Sequence, residues 1–371
     1  MTGLLQSLWI LISVTRLTGI PAYALAIDCN GNFNITKESD AKDLRENCKI
    51  VGGDLIFGSN ISENINLDGV EEVRGDWKHN PRRDGQVLTL FNISSSTLKL
   101  IDGNFRLIGP IGLERLILPN VGNISEAVSF VSMAHLTHID FTNLEYFRYL
   151  WLEAPKLQEF KIDELKGFTR NYAGWITIYD GGSVESLDGL FKGPIAPTNE
   201  AQLPNITIEN IPNVKQLTLG WKNIFSAQIS GQLKYRYWSP PPNITLILGG
   251  PDSETVYINE LETREGIIGI ERGSKTTNLS IGSFKSMNDM ITDLRLPFDQ
   301  VSNVTIRGDN MTSLELPKEA EQWNDVSISI ALVRKLRFES PVNAEGRQTW
   351  YWPNQTMSSF FFLGDVSTNF L

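Results

Sequence analysis

An all-β solenoid is the fold class this sequence predicts, and three observations predict it. First, three segments align: Leu113-x-x-Leu116-x-Leu118-x-x-Val121-x-x-Ile124, Leu136-x-x-Ile139-x-Phe141-x-x-Leu144-x-x-Phe147 and Leu157-x-x-Phe160-x-Ile162-x-x-Leu165-x-x-Phe168, offset by 23 and 21 residues. A unit of that length sets a short strand on its φ-x-φ core, and stacked units bury a continuous apolar column that no single unit buries alone. Second, Val51-Gly52-Gly53-Asp54-Leu55, Val73-Arg74-Gly75-Asp76-Trp77 and Ile101-Asp102-Gly103-Asn104-Phe105 share φ-x-Gly-Asp/Asn-φ. Glycine suits the corner of a coil, and the Asp or Asn after it can bond the turn backbone. Third, many short stretches alternate apolar and polar residues, as strands with one buried face do.

The elements follow in chain order. Residues 1–26 read as a signal peptide: the apolar run Leu8-Trp9-Ile10-Leu11-Ile12 precedes Ala24-Leu25-Ala26, a small-x-small cleavage pattern. Thr15, Arg16, Thr18 and Gly19 interrupt the run, which leaves it short of the roughly 20 apolar residues of a membrane span. Cys29 and Cys48 suit a disulfide in an oxidising compartment. Between them, Ala41, Leu44 and Cys48 lie on one face of a helix that Ser39 or Asp40 can cap, so a helix stapled to the first strand is expected.

Weaker copies of the repeat follow at Val214-x-x-Leu217-x-Leu219, Ile291-x-x-Leu294-x-Leu296 and Met311-x-x-Leu314-x-Leu316. The punctuation from Phe191 to Asn199, containing Gly193, Pro194 and Pro197, divides the chain into lobes of residues 27–195 and 196–371. Arg74-Gly75-Asp76 spells an adhesion tripeptide, but its place on the repeated corner assigns it to the turn.

Ten N-glycosylation sequons start at Asn34, Asn60, Asn92, Asn123, Asn205, Asn243, Asn278, Asn303, Asn310 and Asn354. With 29 Asn and 53 Ser plus Thr in 371 residues, chance placement yields about four. In nine of them the middle residue is Ile, Leu, Val or Met, so that residue points inward while Asn and Ser or Thr share the outward face. A sheet carrying Asn205, Asn243, Asn278 and Asn303 would then be sugar-decorated. The stretch from Glu126 to Leu203, which has no sequon, would be left for a partner.

Composition narrows the chemistry. Thirty-three basic against 43 acidic residues leave a net charge of −10, which argues against nucleic acid as a partner. Three histidines (His79, His135, His138) and two cysteines give metal sites and histidine catalysis few residues. No cofactor is called for. The signatures of serine hydrolases, P-loop enzymes, dinucleotide-binding enzymes and zincins are absent from the sequence. The enzyme alternative is a polysaccharide-cleaving solenoid, since glycosidase chemistry needs only two carboxylates. Its candidates are Glu71/Glu72, Asp163/Glu164 and Glu185/Asp188; neighbours on a strand point to opposite faces, which tells against the first two pairs. Tyr235, Tyr237 and Trp238, with Trp350-Tyr351-Trp352, are candidates for carbohydrate contact, though large rings also fill solenoid cores and ends.

From Cys29 through Cys48-Lys49-Ile50-Val51-Gly52-Gly53-Asp54-Leu55, then Leu100-Ile101-Asp102-Gly103-Asn104-Phe105 and the run from Leu113 to Leu190, the chain resembles receptor L-domains. The likeness is nearest to the fungal cell-wall organisation glycoproteins of that class. It covers residues 28–190 well and 191–339 more loosely. The resemblance implies a right-handed, leucine-rich-repeat-like solenoid. It also implies a secreted, glycosylated, non-enzymatic surface protein whose partners are wall polysaccharide or other cell-surface proteins. Such proteins usually carry a glycosylphosphatidylinositol anchor, whose signal needs a tail of roughly 10–20 apolar residues. The run Phe360-Phe361-Phe362-Leu363 is far shorter, so no anchor signal is evident. A ligand-binding receptor ectodomain is the third reading and rests on fold analogy alone.

Overall fold

The structure is a computed structural model that describes residues 28–298 except 60, 80–88, 110–111, 164, 170–173, 193–202, 233–241 and 287–292; beyond 298 it describes strand backbones only. The signal peptide lies outside the described residues. No helix among them is long and apolar enough to cross a membrane.

The chain is a β-solenoid of parallel strands. One 15-stranded sheet runs its whole length, with fourteen strands in strict chain order from Phe33–Ile35 to Phe360–Val366. Each early coil adds three strands. In one such coil Phe105–Ile108 joins the long sheet, Leu113–Ile117 a second sheet and Asn123–Ile124 a third. Sequence periodicity caught the last two: the twelve-residue unit from Leu113 to Ile124 spans the second-sheet strand, a turn and the third-sheet strand. It passed over the strand of the long sheet. That strand shows only a brief φ-x-φ, such as Val128/Phe130 or Leu150/Leu152, all with at most 2% exposure.

The third sheet ends at Gly167–Phe168 and the second at Glu159–Lys161. The short helix Asp188–Phe191 follows, burying Leu190 and Phe191. Afterwards each coil has two strands, with Gln216–Leu219, Ile244–Leu248 and Ile267–Arg272 forming one side sheet. The boundary drawn at 195 falls among undescribed residues. Across it the long sheet is unbroken, since Trp175–Asp180 pairs with Asn205–Ile208 from Trp175↔Asn205 to Ile178↔Ile208. What changes there is the number of strands per coil.

At the N-terminal end the helix Glu38–Asn47 buries Ala41 and Leu44, and Cys48 just after it is buried as well. Cys48 bonds Cys29 with 5.6 Å between their Cα atoms and a separation of 19 in sequence. A loop of that length contributes about 3 kcal/mol in the chain-entropy model. The cap differs from expectation. Asp40 sits in the first turn and reaches back, its carboxylate accepting from Thr36 N at 2.9 Å, Thr36 Oγ1 at 2.6 Å and Lys37 N at 3.2 Å. One acid satisfies donors that precede the helix, so the helix starts earlier than the first Ser or Asp.

The Gly-Asx corners join the third sheet to the long sheet, and they stack. Asn32 Oδ1 accepts from Asp54 N at 2.8 Å, Asp54 Oδ1 from Asp76 N at 2.9 Å, and Asp76 Oδ1 from Asn104 N at 2.9 Å. Gly31-Asn32-Phe33 is thus a fourth corner, missed in the sequence because Cys29, read as a disulfide partner, stands where the other corners carry Val or Ile. The Arg74-Gly75-Asp76 tripeptide is part of this ladder. Its Asp76 is occupied, and Arg74 is ion-paired with Glu72 at 2.9 Å.

Lys78 lies 2.5 Å from Asp54, and this ammonium, with the Asp76 N–H, holds the Asp54 carboxyl below the usual carboxylate range against the opposing effect of burial. Asp68 is held low by the backbone and hydroxyl of Ser96. A depressed folded pKa contributes stability that is present above the unfolded value, about 3.9 for Asp, and is lost as pH falls through the folded value. The melting temperature is therefore expected to stay level from pH 8 to 5 and to drop below pH 4. Asp54→Asn should keep the ladder acceptor, lower the plateau slightly and flatten part of the acid drop; an unchanged drop in melting curves would show that this carboxylate does not contribute.

Candidate functional site

Six sequon asparagines fall among the described residues, on or immediately before strands, and in each the middle residue is buried. Ile35, Ile93, Ile124, Ile206, Ile244 and Leu279 are all at most 3% exposed, while Asn34 and Asn243 are exposed and Asn92, Asn123, Asn205 and Asn278 half-buried. The alternation read from the sequence holds, with one departure: Ser125 turns in and donates to Asp102 Oδ1 at 2.7 Å. Asn60, Asn303, Asn310 and Asn354 lie outside the described residues.

These asparagines do not share one sheet. Asn34, Asn205 and Asn278 lie on the long sheet, Asn92 on the second and Asn123 on the third, and Asn243 immediately precedes a side-sheet strand. The single decorated face expected to carry Asn205, Asn243 and Asn278 is therefore split. Strands of both sheets in a coil use the same N-φ-S/T pattern, so the pattern cannot tell which sheet it belongs to.

The candidate sugar contacts Tyr235, Tyr237, Trp238, Trp350 and Trp352 also lie outside the described residues. Other rings take the outward positions. Tyr149 and Trp151 alternate on the strand Tyr149–Glu153, and Trp175 and Tyr179 on the next strand of the long sheet. They form two edge-on pairs, Tyr149–Trp175 at 6.0 Å and Trp151–Tyr179 at 5.0 Å between ring centres. The Arg148 guanidinium sits 4.7 Å from the Tyr149 ring centre and pairs with Glu126 at 2.9 Å. The cluster falls within the sequon-free stretch from Glu126 to Leu203. Its sequence signal was the alternation Tyr149-Leu150-Trp151-Leu152, where Leu150 and Leu152 are buried.

The acid pairs are accounted for individually. Glu71 and Glu72 line one shallow hollow with Lys49, Ile50, Lys99 and Leu100. They share it because Glu71 stands before the strand Glu72–Val73, where alternation does not yet apply, and this corrects the expectation of opposite faces. Lys99 at 2.8 Å and Lys49 at 3.4 Å hold Glu71 below the usual carboxylate range. A general acid needs the opposite shift. The same column continues to Glu145 and Lys166, which pair on the following coils. Asp163 is exposed and Glu164 lies outside the described residues, while Glu185 is exposed just before the short helix and Asp188 is exposed as its first residue.

Neither a protein family, nor a curated protein, nor a solved structure matches the chain.

Proposed function

We propose that this chain is a secreted or cell-surface glycoprotein with a structural or adhesive role in fungal cell-wall organisation. In this reading the solenoid is right-handed and of the leucine-rich-repeat-like receptor L-domain type. The observation that carries it is the placement of the six described sequons: across four sheets, each apolar middle residue faces the core while its asparagine is exposed or half-buried. The disulfide and the repeated corners support the same reading. Trp151 and Tyr179 are the contact that wall polysaccharide would use, because flat apolar rings match the apolar face of a pyranose.

The test is retention of residues 27–371, made in a secreting host, on insoluble β-glucan, chitin and mannan, with released reducing ends measured in parallel. Retention without release is expected, and Trp151→Ala should reduce it about tenfold. New reducing ends would replace this reading with a polysaccharide-cleaving enzyme. No retention on any of the three would rule out a direct polysaccharide contact.

A further inference from the structure

Exposed rings on this molecule sit beside sequons. Among the described residues the large exposed aromatics are Tyr146, Trp151, Trp175, Phe225 and Tyr257. Trp175 is the register partner of Asn205 on the neighbouring strand. Phe225, whose N–H bonds Pro204 O, stands next to Ser226, the partner of Asn205 on its other side. Tyr146 is the register partner of Asn123. Tyr257 pairs with Ser280, the hydroxyl residue of the Asn278 sequon. Only Trp151 of the five neither pairs with a sequon residue nor adjoins a residue that does, its described partners being Ser129 and Thr177.

An exposed ring is unfavourable in water unless something covers it. Here the nearest candidate cover is attached one strand spacing away for Trp175 and Tyr146, about 4.8 Å, and on the adjacent strand one or two residues further along for Phe225 and Tyr257. We propose that the N-linked sugars of Asn123, Asn205 and Asn278 fold back onto these rings, the first N-acetylglucosamine laying its apolar face on the neighbouring aromatic. Asn205 is the fullest case. It has Trp175, 54% exposed, on one side and Phe225, 45% exposed, on the other. Its Oδ1 accepts from Ser226 Oγ at 2.7 Å, which turns Nδ2, the atom that carries the sugar, toward the Trp175 side. Asn34 and Asn92 supply an internal contrast, because their register partners are Ile56 and Arg115.

The proposal rests on the glycoprotein reading, and the experiment separates the two. The secreted protein is first mapped by glycopeptide mass spectrometry, then melted with its glycans intact and after trimming each to its first sugar. Asn205 is expected to be occupied, and trimming should leave the melting temperature unchanged. Asn205→Gln should lower it by about 2–4 °C, and that loss should vanish when Trp175→Ala and Phe225→Ala are already present; Asn34→Gln should shift nothing in either background. An occupied Asn205 whose removal costs the same with and without the rings would overturn the proposal and leave the glycoprotein reading standing. An unoccupied Asn205 would overturn the proposal at that site. If all the mapped sequons were bare, the glycoprotein reading would fall too.

Discussion

Gly75→Ala is expected to destabilise the solenoid by about 3 kcal/mol or more, the upper range for overpacking against atoms that cannot move aside. A Cβ at this corner would lie 2.5 Å from the carbonyl carbon of Gly53 and 2.6 Å from both its oxygen and Asp54 Oδ1. Two of these three atoms are backbone of the preceding coil, and the third is engaged in the ladder. The corner above repeats the problem, because a Cβ on Gly103 would meet Gly75 O at 2.5 Å and Asp76 Oδ1 at 2.7 Å. Relief by spreading the coils would stretch the ladder bonds on both sides. Asp76→Asn is the matched control: it keeps an acceptor for Asn104 N and should cost well under 1 kcal/mol. Chemical denaturation of the pair reads the difference, and equal stability would mean the coils are not in contact at this corner.

Trp77→Ala is expected to cost about 3–5 kcal/mol, the range for removing a large buried ring. Trp77 is fully buried and stacks between Phe57 at 4.9 Å and Phe105 at 5.1 Å, with Phe130 next at 5.5 Å from Phe105. One aromatic per coil forms a column behind the long sheet, and an alanine would leave a hole between two rings held apart by their own coils. Trp77 Nε1 has no hydrogen-bond partner among the described residues. Trp77→Phe extends the phenylalanine column and removes that buried donor, so it should cost under about 2 kcal/mol. Urea titration of the two variants tests this, and a Phe variant as damaged as the Ala variant would contradict it.

These two residues also show what was legible beforehand. Gly75 and Trp77 both belong to the φ-x-Gly-Asx-φ motif, and the motif marked a corner because glycine and an Asx acceptor are chemically specific. The disulfide and the helix face of Ala41 and Leu44 were readable for the same reason. The long sheet was legible only where a sequon marked one of its strands, because its strands contribute from one to four inward residues and keep no common length from coil to coil. The surface cluster of Tyr149, Trp151, Trp175 and Tyr179 escaped notice because adjacency across strands depends on register, which no single stretch of sequence carries. The shared hollow of Glu71 and Glu72 was misjudged because strand alternation was applied one residue too early.

The Asx ladder has a consequence for how this architecture can change. Asp54 and Asp76 are 22 residues apart, while Asp76 and Asn104 are 28 apart, yet both steps close with the same 2.9 Å bond. Six extra residues enter between these two rungs, and the bond that closes the step keeps its length. Length is thus variable between the corners and fixed at the glycines themselves. Insertions can accumulate between the corners while the corners keep their pitch, so new binding loops can be tried without renegotiating the fold.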